Sequence, residues 1–414
     1  MAVLHGALGL LSLLFIAWLF SERRWQIPIR VVIAGVALQI ILALLFIKFP
    51  PATSIFLFLN AGVAALQKAT DAGTALVFGY LGSGPVPFAE AHPEASFILA
   101  FRAFPLVLVI SAIASLLLYW GILQRVVAAL AFVLCRTLGI GGALALGGAV
   151  HIFVGMVEAP LLVRPYLNRM SRGELFALMS CGMAGIAGTM MVIYAALIGP
   201  VIPDALGHIL IASIISTPAA LAVAALMVPF TPDPDETGEL SLPDPPTSTM
   251  EAIVRGAIDG IGIVATIIAL LIVVIALVTL VNMTLGLVPI AGAPITLQQI
   301  FAYAFWPILW LVGIPLPELG PASLLMGTKT VLNEFVAYID LARLPPEALS
   351  PRSRLMMTYA LCGFANFGSL GILVGGMTAM APERKDDIIA LGLRSILSGT
   401  LATLMSGTVV GMIT

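Results

Sequence analysis

Five residues capable of chemistry stand in two groups within otherwise apolar sequence, His151 and Glu158 in the first, Lys329, Asn333 and Glu334 in the second. A carboxylate accepts from two hydroxyls at once, an amide both donates and accepts, and an imidazole changes charge near neutral pH. Such a set can hold a hydroxyl-rich solute, carry a proton, or perform acid–base work between two carboxyls. An unpaired charge at membrane depth costs roughly 2.5–3.5 kcal/mol even on the gentlest insertion scale, so an ionisable residue there marks a functional site by default. The bland alternative for Glu334 is an ion pair with Lys329.

The surrounding composition puts these groups in a membrane. Charged residues are 10% of the 414-residue chain and apolar residues 60%, whereas an ordinary soluble domain is about 25% charged. That imbalance leaves too little polar surface to coat a water-soluble globule. A net charge of -2 offers no basic footprint for nucleic acid. Cys135, Cys181 and Cys362 form neither a disulfide framework nor a metal pattern. HExxH, GxSxG and CxxC do not occur, and GTKT at Gly327 lacks the spacing of a phosphate-binding loop. No cofactor and no resident metal are expected. Leu4–Phe20 lacks a cationic n-region and an Ala-x-Ala-like exit, so it reads as a retained helix.

Leu4–Phe20 and Val31–Phe49 each match a hydrocarbon core of ~30 Å at about 1.5 Å per residue. Between them Arg23, Arg24 and Arg30 place a short loop in the cytoplasm and the N-terminus opposite. Pro50–Glu94, amphipathic around Phe56–Lys68, suits an interfacial helix followed by an ordered loop. Phe97–Trp120 reads as the third span and Gly121–Leu138 as an interfacial or scaffold helix. Gly139–Met170 carries too much Gly, Pro and charge for one straight helix and reads as a re-entrant hairpin. Gly173–Gly199 and Ile202–Pro229 follow as helices, and Thr231–Thr249, acidic and Pro-rich, as an aqueous linker. Ile261–Leu285 has no charge and is expected to face lipid or other subunits. Gln298–Val312 looks interfacial, Pro315–Ala348 reads as a second hairpin, and Met356–Met380 and Ile388–Ile413 close the chain. The expected fold is therefore an all-α polytopic membrane protein with about eight transmembrane helices and two re-entrant hairpins.

That order conceals a repeat. CGMAGIAG at Cys181–Gly188 and CGFANFGS at Cys362–Ser369 each follow a hairpin bearing a glutamate, Glu158 or Glu334, and precede an apolar helix. An odd helix count between the halves inverts the second. Paired Gly-interrupted segments of this kind point to a secondary transporter that binds its solute near the midplane.

Gly327, Lys329, Asn333, Glu334, Phe335, Val336, Ala337 and Tyr338 match the G-x-K-x-x-x-N-E-F-V-A-Y signature of the concentrative nucleoside transporters in full. GMVEAP at Gly155–Pro160 resembles that family's G-Q-T-E-A-P hairpin, and PERKDD and CGFANFGS resemble its bacterial branch. The resemblance implies a multi-pass protein of the bacterial inner membrane and a homotrimer. It also implies an elevator in which residues 1–138 are scaffold, 139–229 and 314–414 the two repeats of the transport domain, and 230–313 linker and scaffold. Glu334, Asn333, Asn366 and Ser369 would meet the ribose, and Gly155, Met156, Val157, Glu158, Met190 and Phe364 would complete the substrate site.

Two departures shape the finer expectation. Met156 and Val157 stand where relatives carry Gln and Thr, removing hydrogen-bonding groups from the base end and tilting selection toward purine nucleosides. Val157 can equally be a packing variant. At the ion site His151, Val154, Gly185 and Ile186 replace or flank an Asn and a Ser that sodium-coupled relatives use. Sodium wants oxygen ligands, so H+ is the expected coupling ion, carried by His151, Glu158 or Glu334, with Na+ the alternative. A broad sodium-coupled transporter, a channel, and an intramembrane enzyme using Glu158 and Glu334 are the competing functions.

Overall fold

The computed structural model describes residues 2–89, 98–231, 245–287 and 294–414, with the side chains of 50–60 left aside. Among these residues every regular element is helical. Helices α1 (Ala2–Leu19) and α2 (Ile29–Lys48) form the first pair, and α3 (Pro50–Phe78) runs on as one helix where a shorter interfacial one was expected. Residues 90–97 and most of the acidic linker lie outside the described residues.

The third apolar run is not one helix. It comprises α4 (Leu99–Arg102) and α5 (Pro105–Tyr119), interrupted at Ala103 and Phe104, because Pro105 has no N–H to continue the ladder. Helix α6 (Ile122–Leu138) is framed by Gly121 and Gly139, both left-handed at φ 72° and 68°. The first hairpin follows as α7 (Gly142–Val150), an irregular tip through Val157, α8 (Glu158–Leu162) and α9 (Arg164–Leu167).

Next come α10 (Arg172–Ala184), α11 (Gly188–Ile198) and α12 (Ala205–Met227). Ser171 and Glu174 start α10 with a reciprocal capping box. Gly173–Gly199, expected as a single helix, therefore breaks at Gly185–Ala187. Helix α13 (Thr249–Gly286) has 38 residues, about 57 Å at the helical rise. The second half continues with α14 (Leu297–Leu311), hairpin helices α15 (Leu319–Val331) and α16 (Glu334–Arg343), then α17 (Pro351–Leu361), α18 (Phe367–Met380) and α19 (Lys385–Ile413). Met356–Met380 likewise breaks, at Cys362–Asn366. Among the described residues six segments are long and apolar enough to cross a membrane, two of them, Leu99–Tyr119 and Arg172–Ile198, each built of two helices across a break, and Val3–Leu19 and Phe367–Met380 are shorter apolar helices.

The order hairpin, broken helix, unbroken helix thus recurs as α7–α12 and α15–α19. The two broken helices meet at their breaks, where the Phe364 N–H donates to the Gly185 carbonyl at 3.2 Å. Gly363 permits this approach, since a Cβ there would crowd the Met183 and Ala184 carbonyls. Helices α12 and α19 fill the middle, with α1 and α2 packed along them, while α13 lies along α5. Gly256 and Gly260 bring α13 against Ser111 and Leu108, and much of α13 stays exposed from Ile272 to Met283. At one end Glu22 pairs with Arg172 at 3.1 Å and Arg394 at 2.9 Å, tying the α1–α2 loop to α10 and α19.

Candidate functional site

Glu334 is the first residue of α16, just after the chain leaves α15 through extended Asn333. Asn333 Oδ1 accepts from the Val336 N–H at 2.9 Å, so this asparagine caps the helix that presents Glu334. Asn366 plays the same part for α18, its Oδ1 accepting from the Ser369 N–H at 2.7 Å. Its amide nitrogen remains to donate to Glu334 Oε2 at 2.8 Å. The other carboxylate oxygen, Oε1, accepts from the Tyr194 hydroxyl at 2.7 Å. All three side chains are buried.

Lys329 is not the partner of Glu334. Fully buried, its Nζ donates to the Ala360 carbonyl at 2.8 Å and Thr403 Oγ1 at 3.2 Å. It thereby satisfies a carbonyl at the end of α17, where cationic groups are favoured and the ladder has no further donor. Among the described residues no ion pair joins it to Glu334, so the carboxylate is held by neutral donors.

Of the residues expected at the site, Glu334, Asn366 and Ser369 come together directly. Asn333 is beside them as a cap, and Phe364, half-buried in the break, is tied through its backbone to Gly185. Met190 is buried one helical turn before Tyr194 on the same face of α11. Tyr194 itself carries no sequence signal, being an aromatic residue within an apolar run. It packs at a tilt against Tyr338, 4.9 Å between centroids, and approaches Phe335 at 6.0 Å.

The first hairpin's tip packs against α18. Met156 is buried, Val157 packs closely against Gly376 on α18, and Glu158 is exposed with its carboxylate folded over Gly155. Among the described residues no hydrogen bond or ion pair joins Gly155–Glu158 to Glu334 or Asn366. The contact of Val157 with Gly376 gives it a packing role whatever else it does.

His151, Val154, Gly185 and Ile186 do gather where this tip meets the first break. The Gly188 N–H donates to the Phe153 carbonyl at 2.9 Å, and the His151 carbonyl lies beside Gly185. The His151 ring is buried against Gly182, where a Cβ would sit 3.1 Å from Cε1, and its Nε2 has no hydrogen-bond partner. A cavity of about 480 Å³ lies elsewhere, between α3, α5, α11 and α12, lined by Gln67, Ile193 and Asp204 among others.

Comparison with known proteins accounts for this arrangement. Models described as the N-terminus and C-terminus of Na+ dependent nucleoside transporters match residues 8–81 and 208–411, and one described as nucleoside recognition matches 100–201. An uncharacterized transporter of Haemophilus influenzae is 37% identical, covering 100% of this chain and 98% of its own. The nucleoside permease NupC of Helicobacter pylori is 30% identical, covering 99% of this chain and 97% of its own. The structure of CNTnw in an inward-facing substrate-bound state is 34% identical, superposes with a TM-score of 0.90, and covers 100% of this chain and 98% of that one. The chain belongs to the concentrative nucleoside transporter family.

Proposed function

We propose that this transporter imports nucleosides with a preference for purines, coupled to protons, by elevator-type movement of each protomer's transport domain within a homotrimer of the bacterial inner membrane. The observation that carries the substrate reading is the buried Glu334 carboxylate, held by Tyr194 and Asn366 and not directly ion-paired with Lys329. Such a carboxylate is an acceptor kept ready for hydroxyls, which a ribose supplies. Asn366 and Ser369 extend the polar wall at the start of α18, while Gly155, Met156, Val157, Glu158, Met190 and Phe364 serve the base end. Nucleophile, metal and cofactor chemistry have no part in this reading, and the solute leaves unaltered.

Sodium, which the family's description implies, does not suit the residues at the matching position. His151 offers a ring nitrogen in place of an oxygen, Gly185 offers no side chain, and the unpartnered Nε2 asks for a donor or a proton of its own. No step is assigned to sodium. His151 beside the first break is the proposed proton carrier, and Glu158 and Glu334 are the carboxyl alternatives.

Packing also bears on which helices move. Because α1 and α2 lie along α12 and α19, and Glu22 binds Arg172 and Arg394, we assign both helices to the moving body with the repeats. The scaffold then keeps α3–α6, α13 and α14, and the exposed stretch of α13 is the proposed contact between protomers. This revises the division that kept residues 1–138 together.

Competition against labelled adenosine uptake in proteoliposomes tests the substrate reading. Inosine and guanosine should compete better than uridine and cytidine, and Glu334→Gln should lower uptake by about two orders of magnitude or more, as for a site that loses a buried hydrogen-bonding match. Equal competition by uridine would remove the purine preference, and undiminished uptake in Glu334→Gln would remove Glu334 from the site.

A further inference from the structure

Arg30 lies in the first turn of α2 and Arg136 in the last turn of α6, and the fold brings both to the same end of α6. The Arg30 guanidinium lies over Gly139, the left-handed residue that ends α6, so closely that a Cβ there would sit 2.8 Å from its Cζ. Among the described residues neither arginine takes part in an ion pair. Glu22, the one acid of the α1–α2 loop, is committed to Arg172 and Arg394. A helix C-terminus carries only about half a negative charge. Two guanidiniums exceed it, and Arg23 and Arg24 in the adjoining loop add to the surplus.

Beside this charge the surface is apolar. Arg30 and Ile33 share a face of α2 at i,i+3 spacing, as Phe132 and Arg136 share one of α6 at i,i+4. Ile33 is 64% exposed and Phe132 70%. On α2 the exposed apolar positions continue through Ala37, Ile41 and Leu44. From Arg30 to Leu44 the helical rise covers about 21 Å, more than the ~15 Å that one leaflet's chains span. A soluble anion would leave this stripe unused, and a neutral lipid would leave the charge unmet. The arginine-rich end is the cytoplasmic one, where the membrane surface is negative.

We propose that α2 and α6 together bind an acidic phospholipid of the cytoplasmic leaflet. Arg30 and Arg136 hold its phosphate, which the guanidinium fork matches two oxygens at a time, while Ile33, Ile41 and Phe132 pack along its chains. The site shares no residue with the Glu334 or His151 groups, so it stands apart from the substrate and ion readings.

The test is native mass spectrometry of the full-length transporter in detergent, titrated with phosphatidylglycerol or phosphatidylcholine of identical chains. The wild type should bind phosphatidylglycerol about tenfold more tightly, as for two arginines at a lipid headgroup. Arg30→Gln with Arg136→Gln should bring the two lipids within about twofold of each other. Arg125→Gln, at the other end of α6, should keep the preference, and Phe132→Ser should weaken both lipids alike. No preference in the wild type, an undiminished preference in the double variant, or an equal loss in Arg125→Gln overturns the proposal. Should the double variant not fold, each single variant must cut the preference about threefold, and failure of both to do so overturns it. A preference that emerges only after Asp233, Asp235, Glu236 and Glu239 are changed to their amides would mean that the chain's own acidic linker occupies the arginines, which also overturns it.

Discussion

Lys329 shows how a buried charge can serve the fold and leave the function to its neighbour. Its ammonium sits in the family signature five residues before Glu334, yet its bonds go to the Ala360 carbonyl and Thr403. Lys329→Met should therefore cost stability, by about 1–3 kcal/mol for an unmet buried partner, read as a lower melting temperature of the purified transporter. The folded fraction should keep the adenosine KM of the wild type; a raised KM with unchanged melting would mean that the lysine touches the ligand. Glu334, Asn366 and Ser369 were legible in sequence because a motif names them. Tyr194 was not, since its role depends on a fold that brings it to a residue 140 positions later. Glu158 was legible as an acid in a hairpin, but its exposure was not.

Among the elements, the eight apolar runs and two hairpins could be read from hydropathy and Gly/Pro punctuation, whereas the breaks inside three of the runs could not. Hydropathy does not register a backbone turn when small apolar residues line it. At Gly185–Ala187 and Cys362–Asn366 the freed groups bond across the molecule, Phe364 N–H to the Gly185 carbonyl and Gly188 N–H to the Phe153 carbonyl, so the polar cost that would flag a break is met by tertiary contact. Two glycines separate this crossing from ordinary helix. Gly363→Ala places a methyl against the Met183 and Ala184 carbonyls and should destabilise by about 1–3 kcal/mol, the usual cost of overpacking. Gly371→Ala, on the open side of α18, meets nothing within 4 Å and should be neutral or stabilising by about 0.5–1 kcal/mol. Thermal unfolding of the two variants in the same detergent compares them; equal melting would mean that the breaks are not held by close backbone contact.

Over the whole molecule, the repeated order α7–α12 and α15–α19 gives two halves whose broken helices meet at one place, with Glu334 bonded to Asn366 next to that crossing and the His151 carbonyl beside Gly185 within it. A solute and a proton bound there would share the same backbone: Gly185 carries the carbonyl that holds Phe364 and stands beside the His151 carbonyl. That shared junction would be the physical basis for the proposed coupling, because ordering either side would order the other. The central claim, proton-coupled nucleoside import, is tested most directly by labelled adenosine uptake into proteoliposomes under an inward proton gradient, an inward sodium gradient, or neither, for wild type and for His151→Asn with Gly185→Ser. The account predicts accumulation driven by the proton gradient alone in the wild type, with the double variant losing that drive and gaining dependence on sodium. Wild-type accumulation that requires sodium and ignores pH would contradict it.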